Sequence, residues 1–170
     1  QNENIVGFFP GSTIGNYKPE EAKLLLMNFS KIIGPKNFLI IGVDLRKKKD
    51  VMEKAYNDSE GITAKFNKNI LNGVNKKTGL NFDINDFDHK AYFNEKKNRI
   101  EMHLVSKRNQ QIYFSDKQIR IVKGETIHTE NSYKYSIPEF KKLANKSGYQ
   151  TIEVLTDDKK YFSIFLLKVK

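Results

Sequence analysis

The stretch Thr126–Ser132 carries a carboxylate and a hydroxyl at a spacing that suits a small-molecule site. Its residues alternate in the manner of a β-strand. Glu130 and Ser132 are two positions apart, so both side chains point to one face of such a strand. A carboxylate and a hydroxyl on one face can hold a ring with two nitrogen atoms, such as imidazole. By spacing alone, a solvent-facing strand edge explains the pair better.

The loop Ser12–Asn16 is a second candidate site, because glycines bracket it and it follows a strand pattern. The apolar run Ile5–Phe9 is typical of a buried strand, and Pro10 ends it. Gly11 and Gly15 then enclose polar residues that can line a ligand cleft. Tight turns also use glycine for backbone reasons alone, so the sequence leaves both interpretations open.

Other polar groups have simpler explanations. Tyr56–Asp58 precedes a predicted helix and fits an ordinary helix cap. Among the three histidines, His103 and His128 could share one face of a sheet, but no His-x-Glu or His-Glu-x-x-His spacing accompanies them. We therefore interpret them, with His89, as strand histidines and predict no metal site. No nucleophile elbow or phosphate-binding glycine motif occurs.

Composition excludes several classes of protein. The chain has no cysteine, which rules out disulfide scaffolds, thiolate metal sites and cysteine nucleophiles. No apolar run reaches the roughly 18 residues that a membrane span requires, and no signal segment is recognisable. We expect a cytoplasmic protein.

The net charge of +10 comes almost entirely from lysine. The arginines are Arg46, Arg99, Arg108 and Arg120. Bidentate recognition of phosphates and bases favours arginine, so a solvated lysine surface explains the charge better than a nucleic-acid interface. A basic nucleic-acid-binding module stays open as the alternative, supported by the charge run Arg46–Lys49.

The first elements along the chain predict a strand, helix and strand. Pro19 followed by two glutamates is a helix start, and Gly34-Pro35 ends the helix. Phe38–Val43 is a continuous apolar run, typical of a strand buried on both faces in a parallel sheet. Asp44 stands at its carboxyl end, the edge at which open α/β sheets bind ligands.

The middle of the chain predicts an α+β segment. Val51–Ala55 and Ile62–Val74 have helical patterns. From His89 to Tyr135 the sequence alternates like an antiparallel meander, with turns at Asn94–Asn98 and Ser115–Lys117. A helix beginning at Pro138 and a hairpin of Thr151–Leu155 with Tyr161–Val169 then return to α/β character. The α/β part supplies only about four strands, fewer than a doubly wound nucleotide-binding sheet usually has.

Seven stretches resemble one enzyme family and follow that family's order along nearly the whole chain. They are Phe9–Asn16, Gly42–Leu45, Ala55–Asp58, Gly61–Asn67, Arg99–Met102, Glu130–Ser132 and Thr156-Asp157. The family is the histidine-specific, S-adenosylmethionine-dependent Nα-methyltransferases of ergothioneine biosynthesis. Leu155 departs from it, because family members usually have tryptophan there.

The resemblance implies a fold. The chain is similar to the carboxyl-terminal part of a class I, Rossmann-like methyltransferase, in which an α+β substrate-binding lobe interrupts the α/β layer. We expect residues 1–45 and 137–170 in the partial methyltransferase domain and 46–136 in the inserted lobe. The resemblance also implies that the first strands and the glycine-rich S-adenosylmethionine motif lie in an amino-terminal portion outside this sequence. Alone, the chain should bind that methyl donor poorly and be inactive.

The resemblance assigns roles to eight residues at the substrate. Asn16 and Tyr56 hold the substrate carboxylate, Gly11 and Thr13 lie near its α-amino group, Phe66 and Met102 wall the ring pocket, and Glu130 and Ser132 hydrogen-bond the imidazole nitrogens. Gly11, Ser12 and Thr13 are also expected beside S-adenosylmethionine. The resemblance names no catalytic base and no metal.

The implied reaction is the transfer of three methyl groups to the α-amine of histidine, giving hercynine. The neutral amine attacks the sulfonium methyl in line, so the enzyme mainly aligns the reactants and excludes water. An indole has one N–H and more bulk than an imidazole, so Glu130 with Met102 favours histidine over tryptophan. Methylation of another amino acid or amine is the alternative within this chemistry.

Overall fold

The computed structural model describes residues 5–114 and 117–170, and it divides the chain into two compact units. The first unit contains the residues up to Lys47, Glu95–Arg99 and Asn131–Lys170, and the second contains Lys48–Asn94 and Ile100–Glu130. The predicted boundaries lie at residues 45/46 and 136/137. The structure instead assigns Glu95–Arg99 and residues 131–136 to the first unit.

Nine strands and four α-helices are found in the described ranges. In chain order they are β1 (Val6–Phe9), α1 (Pro19–Ile33), β2 (Phe38–Asp44), α2 (Lys49–Tyr56), α3 (Ile62–Thr78), β3 (Phe87–Asn94), β4 (Arg99–Ser106), β5 (Gln110–Phe114), β6 (Lys117–Ile121), β7 (Thr126–Tyr133), α4 (Ile137–Lys146), β8 (Tyr149–Thr156) and β9 (Phe162–Val169). Short 3₁₀ turns lie at Thr13–Asn16 and Ile84–Asp86.

The first unit is built on a four-stranded sheet with the order β1-β2-β9-β8. The strand number and the β8–β9 hairpin confirm the predictions. The parallel surroundings predicted for β2 are found on one side only, because β2 pairs in parallel with β1 but antiparallel with β9. A continuous apolar run indicates that both faces of β2 are covered, but it does not indicate the direction of the neighbouring strands.

Strand β1 differs from its prediction as a buried strand. Val6 is 53% and Phe8 71% exposed, although the residues between them are partly covered. β1 is an edge strand with β2 as its one neighbour in the sheet. Apolar composition alone therefore overestimated its burial.

The core of the first unit lies between this sheet and the helices α1 and α4. Its largest buried side chains are Tyr149, Phe140, Phe165, Leu26, Leu39, Ile41 and Leu167. Helix α1 begins at Pro19 as predicted, and the Lys18 N–H donates to Glu21 Oε2 at 2.8 Å. Among the described residues, no helix is long and apolar enough to span a lipid bilayer.

The second unit combines α2 and α3 with two small sheets. One sheet has the order β3-β4-β7, and β5 pairs with β6 in a separate antiparallel hairpin. The predicted strands are present, but the meander is wrong because β7 lies beside β4 and not beside β6. Alternation predicts that a strand exists, whereas the partner of a strand depends on long-range burial. The predicted turn Ser115–Lys117 falls partly outside the described residues.

Candidate functional site

The loop after β1 is held by its backbone in a shape that exposes alternate side chains. Gly11 and Ser12 both have positive φ, of 73° and 58°. The following 3₁₀ turn buries Ile14 and Gly15 but leaves Thr13 and Asn16 exposed. The Gly15 N–H donates to the Ser12 carbonyl at 2.9 Å and closes the turn. The two predicted polar binding residues are therefore presented together on one short turn.

Ser12 itself is used to fix this loop to the end of β2. Its side chain is nearly buried, and its Oγ accepts a hydrogen bond from the Asp44 N–H at 2.8 Å. Gly42 permits the same approach, because a Cβ there would lie 3.1 Å from the Gly11 nitrogen. A hydroxyl engaged in this way stabilises the loop, and the place expected for Ser12 beside the methyl donor stays a prediction.

The Asp44 carboxylate lies at the carboxyl end of β2, and two lysines neutralise it. Lys134 Nζ lies 2.5 Å from Asp44 Oδ2, and Lys47 Nζ contacts Oδ1. The Lys134 side chain is only 1% exposed, and its Nζ also donates to Ser132 Oγ at 2.9 Å. Sequence reasoning missed Lys134, because one lysine among so many has no distinguishing signal.

Ser132 and the loop after β1 are close neighbours within the first unit. A Cβ on Gly15 would lie 2.9 Å from the Tyr133 carbonyl oxygen and 3.5 Å from Ser132 Oγ. Only glycine permits this approach of the turn to β7. The structure therefore brings Gly15 against Ser132 and Tyr133, which lie far from it in the sequence.

In the second unit, the stretch Tyr56–Asp58 links the end of α2 to its surroundings. The Asn57 side chain bonds both backbone groups of Ala91 in β3, at 2.9 and 3.1 Å. Asp58 accepts the N–H groups of Ile62 and Thr63 at 2.7 and 2.8 Å and so caps α3. Tyr56 is thereby held at a defined position, which confirms the helix cap and leaves the binding role open.

Met102 and Phe66 have different surroundings. Met102 is 3% exposed and packs with Met52, Ala91 and Ile100, and Tyr56 lies against this cluster. Phe66, on α3, is 67% exposed. The structure thus brings Tyr56 and Met102 together, whereas Phe66 offers a large apolar ring to the surface.

Glu130 is a partly buried carboxylate that lacks a protein partner. Burial raises its pKa above the usual value of 4.5, and no neighbouring charge or hydrogen bond opposes that shift. In the ranges 5–114 and 117–170, its carboxylate accepts no hydrogen bond and forms no ion pair; only its backbone carbonyl is used, by His128 Nε2 at 3.1 Å. A partly desolvated carboxylate is unfavourable until a donor binds it.

The sheet of the second unit also carries a polar group that the sequence did not predict. Glu101 accepts a hydrogen bond from Tyr92 at 2.7 Å and one from Asn94 at 3.1 Å, and His103 Nε2 lies 3.4 Å from it. His103 stacks on His128 with ring centroids 4.6 Å apart and planes 13° from parallel. The ligand atoms of Glu101 and the two histidines lie within 4.8 Å of one another.

The stacking of His103 on His128 determines whether this polar group can hold a metal ion. A metal ion lies in the ring plane of each histidine that binds it, and two nearly parallel stacked planes cannot share one ion. Burial lowers the pKa of His103 below its usual 6.5, against an opposing effect of Glu101. The rings are therefore better explained as stacked side chains that stiffen the sheet.

Comparison with known proteins adds a family to this geometry. Residues 1–169 match the family described as histidine-specific, S-adenosylmethionine-dependent methyltransferases. The chain is 32% identical over 160 residues to the histidine N-alpha-methyltransferase of Mycobacterium tuberculosis, covering 93% of this chain and 50% of that protein. It is 36% identical over 129 residues to the Mycolicibacterium smegmatis protein of the same name, covering 75% of this chain and 40% of that protein.

A more distant relative also matches most of this chain. The ergothioneine biosynthesis protein 1 of Schizosaccharomyces pombe is 29% identical over 152 residues, which are 89% of this chain and 20% of that protein. The chain therefore spans half or less of the length of these relatives.

Solved structures agree on the fold. An S-adenosylmethionine-dependent methyltransferase of Clostridium acetobutylicum superposes with a TM-score of 0.51 at 9% identity, covering 99% of this chain and 60% of that one. The CcbJ methyltransferase of Streptomyces caelestis gives a TM-score of 0.50 at 8% identity, covering 97% and 60%. These likenesses confirm the predicted α/β, Rossmann-like fold, and with the family match they identify the chain as a member of the histidine-specific, S-adenosylmethionine-dependent methyltransferases.

Proposed function

We propose that this chain forms the substrate-binding part of an enzyme that transfers methyl groups from S-adenosylmethionine to the α-amino group of histidine, up to trimethylation. Family membership supports the reaction class. The observation that favours histidine as the substrate is Glu130, a partly buried carboxylate to which none of the described residues donates a hydrogen bond. An imidazole N–H supplies that donor, and a charge-assisted hydrogen bond of this kind contributes about 1.5–3 kcal/mol.

The amino-acid end of histidine needs groups that bind a carboxylate and leave the amine accessible. Asn16 has an amide donor and Tyr56 a phenolic donor, and both suit a carboxylate. The exposure of Thr13 and Asn16 on the same 3₁₀ turn supports their assignment to one end of the substrate. Gly11 is assigned to the α-amino end, where its lack of a side chain leaves room for the reacting nitrogen.

The residues present fit one side of a bound methyl donor. Apart from its chain neighbours, no described residue comes within 4 Å of where a Gly11 Cβ would be, and Thr13 is exposed, so the backbone at these residues is accessible. Ser12 Oγ accepts the Asp44 N–H, which fixes the loop, and Ser12 is assigned beside the donor together with Gly11 and Thr13; Asp44 is paired with Lys134 and Lys47 and is not assigned to the donor. When bound, S-adenosylmethionine supplies a methyl group activated by its sulfonium charge.

The chain's contribution to the reaction is alignment. We assign Glu130 and Ser132 to the ring and Asn16 and Tyr56 to the carboxylate, and residues in these roles would orient the α-nitrogen for methyl transfer. Met102 and Phe66 are assigned to the apolar walls that exclude water. The leaving group is already activated, so we assign no general base.

We further propose that the remaining part of the methyltransferase covers the exposed face of β1. The groove there is lined by Phe8, Phe29, Ile32 and Leu39, and Phe8 and Ile32 are 71% and 78% exposed. This chain matches half or less of its relatives, and their additional length supplies a natural occupant. Such a partner would also complete the methyl-donor site. The cytoplasmic location expected for the protein stays a prediction from the sequence.

A substrate screen tests the proposal directly. The full-length protein, or this chain combined with the remaining methyltransferase part, is incubated with S-adenosylmethionine and each free amino acid in turn. Mass spectrometry of the products is expected to give methylated histidine only. Methylation of another amino acid without histidine would overturn the substrate, and salt-dependent retention of RNA or DNA at physiological ionic strength, without methylation, would favour a nucleic-acid-binding module.

A further inference from the structure

Helix α3 is buried on one face and apolar on the opposite one. Asn67 and Leu71 lie on the buried face and are each 2% exposed. Ile62, Phe66 and Ile70 follow one another at intervals of four residues on the other face, where they are 62%, 67% and 44% exposed. A helix at the surface ordinarily has polar residues opposite its buried face. The three exposed residues, the α3 stripe, therefore indicate a second surface that covers this helix.

The exposure of the α3 stripe matters for the role proposed for Phe66. Phe66 is assigned to the apolar wall that excludes water from the ring pocket, but two thirds of its side chain faces solvent. A bound imidazole ring would not cover the whole stripe, because the eight residues from Ile62 to Ile70 span about 12 Å of helix. The pocket wall at Phe66 is therefore incomplete until a further segment of protein covers the stripe.

The charge of α3 restricts what that segment can be. The helix contains Lys65, Lys68, Lys76 and Lys77 and no acidic residue. Among the described residues, none of these four lysines forms an ion pair. A second copy of this chain would bring the same lysines to the stripe, and repulsion between them opposes self-association. An apolar segment that carries carboxylates fits both the stripe and its surroundings.

We propose that the remaining part of the methyltransferase covers the α3 stripe with an apolar segment that carries carboxylates, and so closes the ring pocket beside Phe66. The relatives supply such an occupant, because this chain spans half or less of their length. The inference rests on the proposed function. It goes beyond the groove beside β1, because it assigns a part of the wall of the histidine pocket to protein outside this chain.

Thiol labelling of the full-length protein tests whether the stripe is covered. Ile70→Cys places a thiol on the stripe, and Ile119→Cys is the matched control on β6, because the natural side chains are both 44% exposed. Each variant reacts with a maleimide, peptide mass spectrometry gives the rate at the introduced thiol, and the rate for the same variant unfolded in urea serves as the reference. We expect the thiol of Ile70→Cys to be slowed at least about tenfold and that of Ile119→Cys about threefold or less. Protection of Ile70→Cys no greater than that of Ile119→Cys would overturn the inference.

The same measurement distinguishes two other occupants of the stripe. Protection of Ile70→Cys that increases with protein concentration would indicate a second copy of the protein. Protection that requires vesicles of phosphatidylcholine and phosphatidylserine would indicate an anionic membrane surface. Either result would overturn the proposed cover.

A double variant tests whether the cover closes the histidine pocket. Ile62→Asp with Ile70→Asp places carboxylates against those expected on the covering segment, so the KM for histidine should rise about tenfold or more through like-charge repulsion. Circular dichroism checks that this variant is folded. Ile119→Asp is the control and should keep the KM of the natural protein. An unchanged KM in the folded double variant would contradict the closure of the pocket by this segment.

The outcomes separate this inference from the proposed function. Methylation of histidine by a full-length protein whose α3 stripe is unprotected would overturn the cover and leave the function standing. A protected stripe in a protein that methylates another amino acid but not histidine would overturn the proposed substrate, and the cover would then belong to a different pocket.

Discussion

At the scale of single residues, burial of the Glu130 carboxylate lowers the stability of the folded protein and, in the proposed function, strengthens the binding of histidine. Its folded-state pKa is raised by burial, so the folded protein binds this proton more tightly than the unfolded chain does. The free energy of unfolding therefore falls as pH rises from 4.5 through the raised pKa, and the cost is fully present at neutral pH. A residue kept for folding alone would not be a carboxylate here.

We predict that Glu130→Gln makes the protein more stable at neutral pH and a weaker enzyme. The amide removes the charge that burial disfavours, so the urea midpoint at pH 7 should rise. The difference from the natural protein should shrink as pH falls through the raised pKa of Glu130 and vanish below 4.5. Loss of the charge-assisted bond to imidazole should lower kcat/KM for histidine about 10- to 100-fold.

The exposed Glu153 on β8 provides the control for this prediction. Glu153→Gln removes one negative charge from a solvated position, so both the urea midpoint and kcat/KM should stay near those of the natural protein. Unchanged histidine methylation in Glu130→Gln would contradict the assignment of Glu130 to the substrate ring.

The contribution of Asp58 to the free energy of unfolding depends on pH in the opposite sense to that of Glu130. Hydrogen bonds from the side chain and backbone of Thr63 and the backbone of Ile62 lower its pKa from 3.8 to about 2. Its contribution to stability is therefore present above pH 3.8 and lost as pH falls through about 2. We predict that Asp58→Ala is less stable than the natural protein at pH 7, and that urea unfolding curves of the two converge near pH 2. A gap that persists at that pH would mean that Asp58 acts by packing rather than by charge.

At the scale of elements, the turn at Thr13–Asn16 depends on its approach to β7. A methyl group on Gly15 would meet the Tyr133 carbonyl oxygen at 2.9 Å, and a backbone atom cannot move aside cheaply. We predict that Gly15→Ala destabilises the protein by about 1–3 kcal/mol. Displacement of the turn should also raise the KM for histidine, because Thr13 and Asn16 move with it.

Gly73 in α3 is the matched control for this substitution. Gly73 sits inside α3, and apart from its chain neighbours and the helix's own backbone no described residue comes within 4 Å of its would-be Cβ. Gly73→Ala should therefore stabilise the protein by about 0.5–1 kcal/mol through the better helix propensity of alanine. Circular dichroism during urea unfolding measures both variants, and equal effects at the two glycines would contradict the close approach of the turn to β7.

These elements also mark how far the sequence alone could lead. Helix α1 and the β8–β9 hairpin were predictable because Pro19, Gly34 and the turn at Asp157 act on neighbouring residues. The place of β7 beside β4 was not, because strand partners are chosen by burial over many residues. For the site, the pattern around Glu130 was readable as a strand, whereas Lys134 acquires its meaning only from Asp44, which lies 90 residues away.

At the scale of the whole molecule, the chain combines a strong positive charge with an exposed apolar face. A net charge of +10 keeps copies apart through repulsion, while Phe8 and Ile32 present apolar area beside an unpaired strand edge. Exposed apolar surface at a sheet edge favours association, and lysine-rich surroundings oppose association between like copies. This combination favours a different partner over self-assembly.

We therefore predict that the double substitution Phe8→Lys and Ile32→Lys strongly weakens the binding of this chain to the remaining methyltransferase part. Two charges in the groove would have to be desolvated on binding, so affinity measured by calorimetry should fall at least about 100-fold. Val122→Lys, at a side chain 43% exposed in the second unit, gives the control and should bind normally. Affinity retained by the paired variant would contradict this face as the joining surface, because a buried strand edge cannot accept two unpaired ammonium groups without loss.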